Sequence, residues 1–597
     1  MTAAPRHADG HSPLKAWIRA LERTAPIERE RRLTLPVLIE RLADRFGDAP
    51  ALLSRDTALS YRSLAGLCNR YARWGLARGL TQGDVVCLVM ASCPEYVAIW
   101  LGLSRIGVSV SLINPSLTGE LLTHSINIVA PRCVIAGATL WGAVKEVWAR
   151  LAPSVECWAA GPGEHGLPRL DLEIARLPGN QLTESEYRPV SLEDRALYIY
   201  TSGTTGLPKA ANVSHFRVMQ WSHWFAGLMD VQPSDRMYNC LPLYHSVGGV
   251  VATGATLVGG GAVVLRERFS ASGFWNDLME ERCTLFQYIG ELCRYLVNSP
   301  HQPQETRHAL RLVCGNGLRS EVWAEFQERF RIPQILEYYA STEGNFSLYN
   351  CEGRPGAIGR IPPFLSHRAA VAIVKFDVDS AAAARNEQGR CVRCAPNEVG
   401  EAIGQIVAAS AATRFEGYAD PEASGNKVLR NVFAQGDAWY RTGDLMRRDE
   451  QGFFYFVDRA GDTFRWKGEN ISTTEVAGVI AGCPGVAEAA VYGVAVPHTD
   501  GRAGMAALVV NEDFDLGEFR RTLAARLPAY ARPSFVRIVP MMELTGTFKL
   551  KKHALALQGY DPHSVTDDLY LDDAARQEYV RLDLPLYERL QAGALRL

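Results

Sequence analysis

The chain has 597 residues, of which 47% are hydrophobic and 21% charged, and its formal net charge is −2. This length exceeds what one hydrophobic core usually holds, so at least two domains are expected. The near-neutral charge excludes a general attraction to nucleic acid or to an anionic membrane. Thirteen cysteines are scattered without a regular framework, which favours buried thiols in a reducing cytosol over disulfides.

The first predicted element is an amphipathic helix in an N-terminal extension, residues 1–32. Leu14, Trp17, Ile18 and Leu21 fall on one helical face. A helix docked on its own protein is the favoured interpretation, and a helix lying on a membrane surface is the alternative. The opening residues lack the apolar core of a secretory signal, and no apolar run reaches the ~20 residues that cross a bilayer. We therefore expect a cytoplasmic protein, with peripheral contact at the inner face of the membrane as the alternative.

Apolar runs typical of buried strands then alternate with helical patterns. The run DVVCLVMAS predicts a strand, and PEYVAIWLGLSRIG predicts a helix that begins at a proline and ends at a glycine. Further along, TLFQYIG and LRLVCGNG predict strands that lead into glycine-bearing loops. This alternation predicts βαβ units and an α/β fold of parallel-rich sheets covered by helices.

The pattern changes after about Ala370. The runs VAIVKFDVDS, GEAIGQIVA and GFFYFVDR predict the short strands of a small antiparallel β subdomain. Beyond Arg459, helical and strand patterns return and predict a smaller α+β domain. We therefore expect an N-terminal domain over residues 33–459 and a C-terminal domain over residues 460–597.

The stretch YIYTSGTTGLPKAA, from Tyr198 to Ala211, predicts a phosphate-binding loop at the end of a strand. Glycine lets the backbone approach an anion closely, hydroxyl groups donate hydrogen bonds, and the lysine adds positive charge. The stretch is not a P-loop, because leucine and proline separate its last glycine from the lysine. A hydroxyl-rich turn between a strand and a helix is the structural alternative. The candidate residues are Thr201, Ser202, Gly203, Thr204, Thr205, Gly206 and Lys209.

This stretch resembles the signature loop of the adenylate-forming enzymes, which include acyl-CoA synthetases, luciferases and peptide-synthetase adenylation domains. The similarity continues in the family's order through YASTEGN, YRTGDL, VDRAGDTFRWKGENI and TGTFKLKK. Within the superfamily, CGNGLR, IYTSGTTGLPKAA and GDTFRWKGEN resemble the branch of the fatty-acid transport proteins and very-long-chain acyl-CoA synthetases. The resemblance extends from roughly Leu33 to the C-terminal end.

The resemblance implies an ATP- and Mg²⁺-dependent ligase that joins a long-chain or very-long-chain fatty acid to coenzyme A through an acyl-adenylate. One alternative is a fatty acyl-AMP ligase that loads a carrier protein. Another is a lipid-uptake or lipid-binding protein with incidental ligase activity. The implied partners are a fatty acid or similar carboxylic acid, ATP and CoA, with no nucleic acid, and the oligomeric state stays open.

The implied catalytic charge comes from Lys549, which would stabilise the approach of the carboxylate to the α-phosphate. Its neighbours Lys551 and Lys552 are expected on a solvated basic edge. Thr342 and Glu343 align with the residues that contact the α-phosphate and hold magnesium, and a carboxylate suits a hard cation.

The resemblance also implies a nucleotide site. Tyr339 would pack against adenine, with plain core packing as the structural alternative. Asp444 suits two ribose hydroxyls because an ionised carboxylate accepts both hydrogen bonds, and Arg459 would help at the ribose or phosphate. The residues that would frame the other side of the base are Gly315, Asn316 and Gly317.

Two further positions concern the acyl group and its acceptor. His245 aligns with the wall of the acyl pocket, and Gly468 with the path of the CoA pantetheine. Related enzymes rotate their C-terminal domain between half-reactions. Gly461 stands where the family commonly has a hinge aspartate or lysine, and glycine keeps such a rotation feasible.

Overall fold

The structure is a computed structural model that describes residues 13–163, 166–202, 207–366, 370–407, 413–499, 501–543 and 550–595. The chain forms two compact units. Unit 1 comprises Met1–Ala369 and Gln405–Val428, and unit 2 comprises Ala370–Gly404 and Leu429–Leu597. The chain thus leaves unit 1, returns to it for a short segment, and leaves it again. The predicted boundary between an N-terminal domain over residues 33–459 and a C-terminal domain over residues 460–597 stays a prediction.

Unit 1 contains most of the helices and two sheets. Its helices are α1 (Pro13–Thr24), α2 (Leu35–Phe46), α3 (Tyr61–Ala77), α4 (Pro94–Ser104), α5 (Gly119–Asn127), α6 (Trp141–Val147), α7 (Leu170–Ala175), α8 (His215–Leu228), α9 (Thr253–Val258), α10 (Phe274–Glu280), α11 (Gly290–Val297), α12 (Ser320–Arg329) and α13 (Pro421–Gly425), with a π-helix over Val247–Ala252. Its strands are β1 (Pro50–Leu53), β2 (Ala58–Ser60), β3 (Val85–Val89), β4 (Ser109–Leu112), β5 (Cys133–Gly137), β6 (Glu156–Ala160), β7 (Arg195–Ser202), β8 (Pro208–Ser214), β9 (Arg236–Asn239), β10 (Ala262–Leu265), β11 (Leu285–Ile289), β12 (Leu312–Asn316), β13 (Ile335–Ala340), β14 (Ser347–Asn350) and β15 (Gly359–Arg360).

Both sheets of unit 1 are rich in parallel pairs. The first has the strand order β6-β5-β3-β4-β7-β8, with an antiparallel pair only at β7 and β8. In the second, β13, β12, β11, β9, β10 and β1 run parallel in that order, and the antiparallel strands β14 and β2 flank them. Strands such as β3 and β10 are entirely buried, which fits their continuous apolar sequences. The predicted α/β fold of parallel-rich sheets is therefore confirmed.

Helix α1 packs on its own unit, against α8. Trp17 is buried, with its ring 5.9 Å from that of Trp224, and Arg19 donates to the Gly227 carbonyl at 3.1 Å. The expected apolar face is partly wrong, because Ala16, Trp17 and Ala20 are the buried residues while Leu14 and Ile18 are exposed. A Cβ on Gly227 would lie 2.5 Å from the Ala20 backbone, so only small residues allow this close packing. Membrane contact stays a prediction.

Unit 2 contains the small β subdomain and a mixed sheet. Its strands are β16 (Val371–Val374), β17 (Phe376–Asp377), β18 (Ala382–Ala383), β19 (Gly400–Gln405), β20 (Val428–Arg430), β21 (Ala438–Arg448), β22 (Phe453–Arg459), β23 (Phe464–Trp466), β24 (Glu469–Ile471), β25 (Val486–Ala495), β26 (Arg502–Val510), β27 (Phe535–Ile538), β28 (Asp568–Asp573) and β29 (Glu578–Arg581). Its helices are α14 (Thr473–Ala481), α15 (Leu516–Arg526), α16 (Lys552–Gln558) and α17 (Leu584–Gln591).

The strands of unit 2 are mostly antiparallel. Strands β16, β19, β21 and β22 are neighbours in that order, and the pairs β16–β19 and β21–β22 are antiparallel. A five-stranded sheet with the order β25-β26-β27-β28-β29 has one parallel pair, β26 and β27, and a separate apolar core. The predicted β subdomain and smaller α+β part are confirmed.

Two further observations concern the cysteine thiols and the length of the apolar helices. All thirteen cysteines carry free thiols, and all but Cys93 and Cys394 are buried. Among the described residues, no helix combines the length and apolar character that a membrane crossing requires.

Candidate active site

The predicted phosphate loop joins two antiparallel strands. Thr201 near the end of β7 pairs in register with Lys209 near the start of β8, and Ser202 ends β7. The structural alternative, a turn between a strand and a helix, is wrong, because α8 begins only after β8 ends. The tip of this loop, Gly203, Thr204, Thr205 and Gly206, lies outside the described residues.

Tyr418 links the phosphate loop to the second predicted motif. Its ring lies under the Lys209 ammonium, with Nζ 5.9 Å from the ring centroid. Its hydroxyl hydrogen-bonds with the side chains of Thr201 and Glu343, and burial raises the pKa of the phenol. Tyr418 is 6% exposed and therefore stays protonated, so it acts as a fixed neutral bridge between the two motifs.

Glu343 provides a buried carboxylate beside this bridge. It is 6% exposed, and the ammonium of Lys427 lies 4.0 Å from its Oε1 atom. The preceding residue, Thr342, has its hydroxyl 3.1 Å from that of Ser246. Oxygen atoms and one cation therefore converge here, which is the chemistry expected for phosphate and a hard metal ion.

Arg217 holds the backbone of this motif from behind. It lies in the first turn of α8 and donates to the carbonyls of Thr342 and Arg414 at 2.8 and 3.1 Å. Its Nε is 3.7 Å from the carboxylate of Glu416, which also accepts from the amide and hydroxyl of Ser214. The start of α8 thereby fixes both the Thr342 backbone and the segment around Glu416.

The predicted base-binding residues lie at the ends of neighbouring parallel strands. Gly315 and Asn316 end β12, and Gly317 follows with a φ of +81°, a conformation that favours glycine. We call residues 315–318 the base loop. Tyr339 lies near the end of β13, and its ring packs edge-on against Phe346 at 5.6 Å. Tyr339 is only partly buried, so core packing leaves part of the side chain accessible.

His245 lies two residues before the π-helix. Its ring is 4.4 Å from that of Tyr244, and its carbonyl accepts from the amide of Gly249 at 2.8 Å. A Cβ on Gly249 would lie 2.1 Å from the Leu243 carbonyl, so this glycine permits the tight backbone packing here. Its role as an acyl-pocket wall stays a prediction.

In unit 2, the two predicted ribose residues are cross-strand neighbours. Asp444 on β21 pairs in register with Arg459 on β22. Asp458, which precedes Arg459 on β22, is 1% exposed and accepts from the hydroxyls of Thr463 and Thr473 and from the amide of Thr473. This buried carboxylate fixes the chain that follows β22.

The remaining predicted residues of unit 2 have mixed outcomes. Lys549 lies outside the described residues. Lys551 is exposed and pairs with Glu543, but Lys552 is not on a solvated edge. It is half-buried, donates to the Thr473 hydroxyl at 2.9 Å and forms an ion pair with the Asp462 carboxylate at 3.7 Å.

Gly468 has a backbone reason for being glycine. Lys467 and Gly468 have φ angles of +52° and +85° between β23 and β24, as in a two-residue type I′ hairpin. A Cβ on Gly468 would meet nothing within 4 Å. The turn therefore explains the residue type, and its position on the CoA path stays a prediction.

Comparison with known proteins identifies the family. The AMP-binding enzyme family matches residues 39–392, and the AMP-binding enzyme C-terminal domain matches residues 475–549. The chain belongs to the AMP-binding enzymes. It is 39% identical to Long-chain fatty acid transport protein 1 of Mus musculus over 577 residues, which cover 95% of this chain and 89% of that protein. Long-chain fatty acid transport protein 6 of Homo sapiens is 40% identical over 524 residues, covering 87% of this chain and 84% of that protein.

Solved structures of AMP-binding enzymes share the fold. The anthranilate CoA ligase AuaEII, in complex with anthranoyl-AMP, superposes with a TM-score of 0.75 at 20% identity, covering 88% of this chain and 96% of that one. The predicted membership of the adenylate-forming superfamily and of its fatty-acid transport branch is confirmed.

Sequence analysis of this AMP-binding enzyme missed several residues at the site. Tyr418 and Lys427 come from a segment whose sequence carries no recognised phosphate pattern. Arg217 left a signal, since a single arginine stands in the otherwise apolar start of α8. A buried charge requires a partner, so it points to a polar cluster, although not to its members.

Proposed function

We propose that this AMP-binding enzyme is an ATP-dependent long-chain or very-long-chain fatty acyl-CoA synthetase. A carboxylate oxygen of the fatty acid attacks the α-phosphorus of ATP, and pyrophosphate leaves. The thiol of CoA then attacks the acyl carbon of the adenylate, a proton is released, and AMP leaves. The observation that carries the proposal is the convergence of Thr201, Lys209 and Glu343 on Tyr418.

This group of residues suits the polyphosphate end of ATP. Lys209 supplies positive charge to the departing pyrophosphate, while Tyr418 keeps the phosphate loop in register with Glu343. Mg²⁺ prefers oxygen ligands, so the buried Glu343 carboxylate together with the Thr342 hydroxyl fits the metal. Bound there, Mg²⁺ would neutralise phosphate charge.

The other roles follow the family resemblance. Asp444 and Arg459 would hold the ribose, and Gly315, Asn316 and Tyr339 would hold the base. Five further assignments concern the rest of the reaction: Lys549 to carboxylate activation, Gly317 to the base, Gly468 to the pantetheine path, Ser202 to phosphate, and His245 to the acyl wall. Gly203, Thr204, Thr205 and Gly206 are assigned to binding the phosphates.

The fatty-acid substrate rests on the relatives. Two proteins named long-chain fatty acid transport proteins share about two-fifths of their residues with this chain over nearly its full length. Their names also support a second candidate function, uptake or binding of fatty acids with incidental ligase activity. We propose a cytoplasmic enzyme, with peripheral contact at the inner face of the membrane as the alternative.

The deciding experiment separates the two half-reactions. Pyrophosphate exchange is measured with fatty acids of increasing length, and thioester formation is then measured with CoA. Exchange followed by thioester formation is expected. Absence of exchange with every fatty acid would favour a binding protein, and exchange without transfer to CoA would favour an acyl-AMP ligase.

Lys549→Ala tests the assigned catalytic charge. It should abolish exchange while sparing thioester formation from supplied acyl-AMP, since the lysine acts only on the first transition state. Lys551→Ala is the matched control, because that lysine is exposed and pairs with Glu543. Equal loss of both half-reactions in Lys549→Ala would argue against the assignment.

A further inference from the structure

A row of three residues crosses the sheet at the start of the base loop. Tyr288 on β11, Gly315 on β12 and Glu337 on β13 are paired in register across the parallel strands. A Cβ on Gly315 would lie 2.5 Å from the Tyr288 ring, so the ring lies over this glycine. The absence of a side chain at Gly315 lets the Tyr288 hydroxyl cross the middle strand and donate to the Glu337 carboxylate.

The second carboxylate oxygen of Glu337 binds the base loop itself. Its Oε1 accepts from the amide of Gly317 at 2.5 Å and from the amide of Leu318 at 3.2 Å. The loop also packs closely against the neighbouring strand end, because a Cβ on Gly290 would lie 1.8 Å from the Gly317 carbonyl. The base loop is therefore held by hydrogen bonds to the Glu337 carboxyl and by close backbone packing against Gly290.

Burying the Glu337 carboxyl carries a desolvation cost that a purely structural position does not require. It is 1% exposed, and burial raises the pKa of its carboxyl to about 8 against the three hydrogen bonds that favour ionisation. An apolar residue on the same strand would avoid this desolvation cost. What the carboxylate adds is a fixed position for two consecutive amides of the base loop.

We propose that Glu337, held by Tyr288, is a positioning residue that sets the conformation of the base loop and thereby the binding of the nucleotide base. The inference rests on the proposed function, in which the base loop frames adenine. Glu337 acts through the loop backbone, so its loss should weaken ATP binding far more than fatty-acid binding. It should also relax the preference for ATP over GTP.

Three variants measure this effect. Glu337→Leu removes both acceptors and should raise the KM for ATP by about tenfold or more, which corresponds to losing about one hydrogen bond. Its KM for the fatty acid should stay within about twofold. Glu337→Gln keeps an acceptor for the two amides and should rescue most of the loss. Tyr288→Phe keeps the ring over Gly315 but removes the hydrogen bond from the Tyr288 hydroxyl to Glu337, and it should raise the KM for ATP by an intermediate amount. This variant tests the proposal even if Glu337→Leu does not fold.

Glu305→Gln is the matched control. Glu305 is a buried glutamate of the same unit, bound by Arg329 and His301, and it is no candidate site residue. It should change stability without changing the KM for ATP. Wild-type protein that shows no ATP–pyrophosphate exchange would refute the proposed function. If the wild type is active, two results would overturn the positioning role alone. One is an equal rise in the KM for ATP and the KM for the fatty acid in the variants, and the other is no rise in the KM for ATP in Tyr288→Phe and Glu337→Leu.

Discussion

Arg217→Met tests how the Thr342 backbone is held. Arg217 is 5% exposed, and its guanidinium donates to the carbonyls of Thr342 and Arg414. It also faces the buried carboxylate of Glu416. Methionine fills a similar volume and adapts to irregular surroundings, but it donates no hydrogen bond. The substitution therefore removes the polar contacts while largely keeping the packing.

The expected loss of stability follows from these contacts. Each lost hydrogen bond from a charged donor costs about 1.5–3 kcal/mol. Removing one partner of a buried ion pair costs about 3–5 kcal/mol. Glu416 keeps two other hydrogen bonds in the variant, one from the Ser214 amide and one from the Ser214 hydroxyl. We expect about 5 kcal/mol in total because these costs overlap. For a unit of roughly 390 residues the unfolding entropy is about 0.8 kcal/mol per kelvin, so the melting temperature should fall by about 6 °C.

Arg266→Met provides the matched control for this prediction. Arg266 is as buried as Arg217 and pairs with Asp277 and Glu281 at 2.9 and 3.0 Å. Thermal unfolding and ATP–pyrophosphate exchange are measured for both variants, the exchange well below both transitions. Both should lose several degrees of melting temperature, but only Arg217→Met should lose about tenfold or more in exchange rate, because misplacing a reacting group costs rate. Equal exchange rates in the two variants, or an unchanged melting temperature for Arg217→Met, would refute the reasoning.

Three further predictions concern other parts of the chain. Because Glu337 has a folded pKa of about 8 against an ordinary value of 4.5, its protonated form stabilises the fold fully below pH 4.5, and this contribution is lost as the pH rises to 8. The melting temperature of wild type relative to Glu337→Gln should therefore fall across that window; a constant difference would contradict it. Trp17→Ala should cost about 3–5 kcal/mol and release α1 to proteolysis, whereas Ile18→Ala, at an exposed position, should have little effect; equal effects would argue against docking. Asparagine tolerates the positive φ of Gly468, so Gly468→Asn should keep the stability and the pyrophosphate exchange of the wild type. Its side chain should slow thioester formation by obstructing the proposed CoA path, and unchanged thioester formation would remove Gly468 from that path.

The sequence predicts well what depends on local pattern. Strands β3, β11 and β12 and helix α4 lie where their apolar runs predict them, because periodicity and end signals are properties of neighbouring residues. The buried face of α1 is different. Leu14 and Ile18 are more apolar than Ala20, yet Ala20 is buried, because the close approach to Gly227 admits only a small residue. Such a constraint arises from a partner helix about two hundred residues away, and local pattern does not contain it.

The site shows the same limit in its polar residues. Lys209 and Glu343 are predictable because they belong to recognisable stretches. Tyr418 and Glu337 are not, since each matters through a contact with a strand or loop far away in sequence. Gly468 shows a different limit: its positive φ favours glycine for a backbone reason that the sequence does not reveal, and its place on the CoA path stays a prediction.

The returning segment, described over residues 405–407 and 413–428, contacts both motifs of the candidate site. Its residues 417–419 run along β8, with the Asn212 amide donating to the Gly417 carbonyl at 3.0 Å and the Ala419 amide donating to the Ala210 carbonyl at 2.8 Å. On its other side, Asn345 donates to the Gln405 carbonyl at 2.8 Å.

The same segment therefore holds both motifs. Because Tyr418 lies on it and bridges Thr201 and Glu343, paired backbone and this side chain together set the spacing between Lys209 and Glu343. For the same reason, substitutions at Tyr418 should impair adenylation although this residue belongs to none of the recognised motifs.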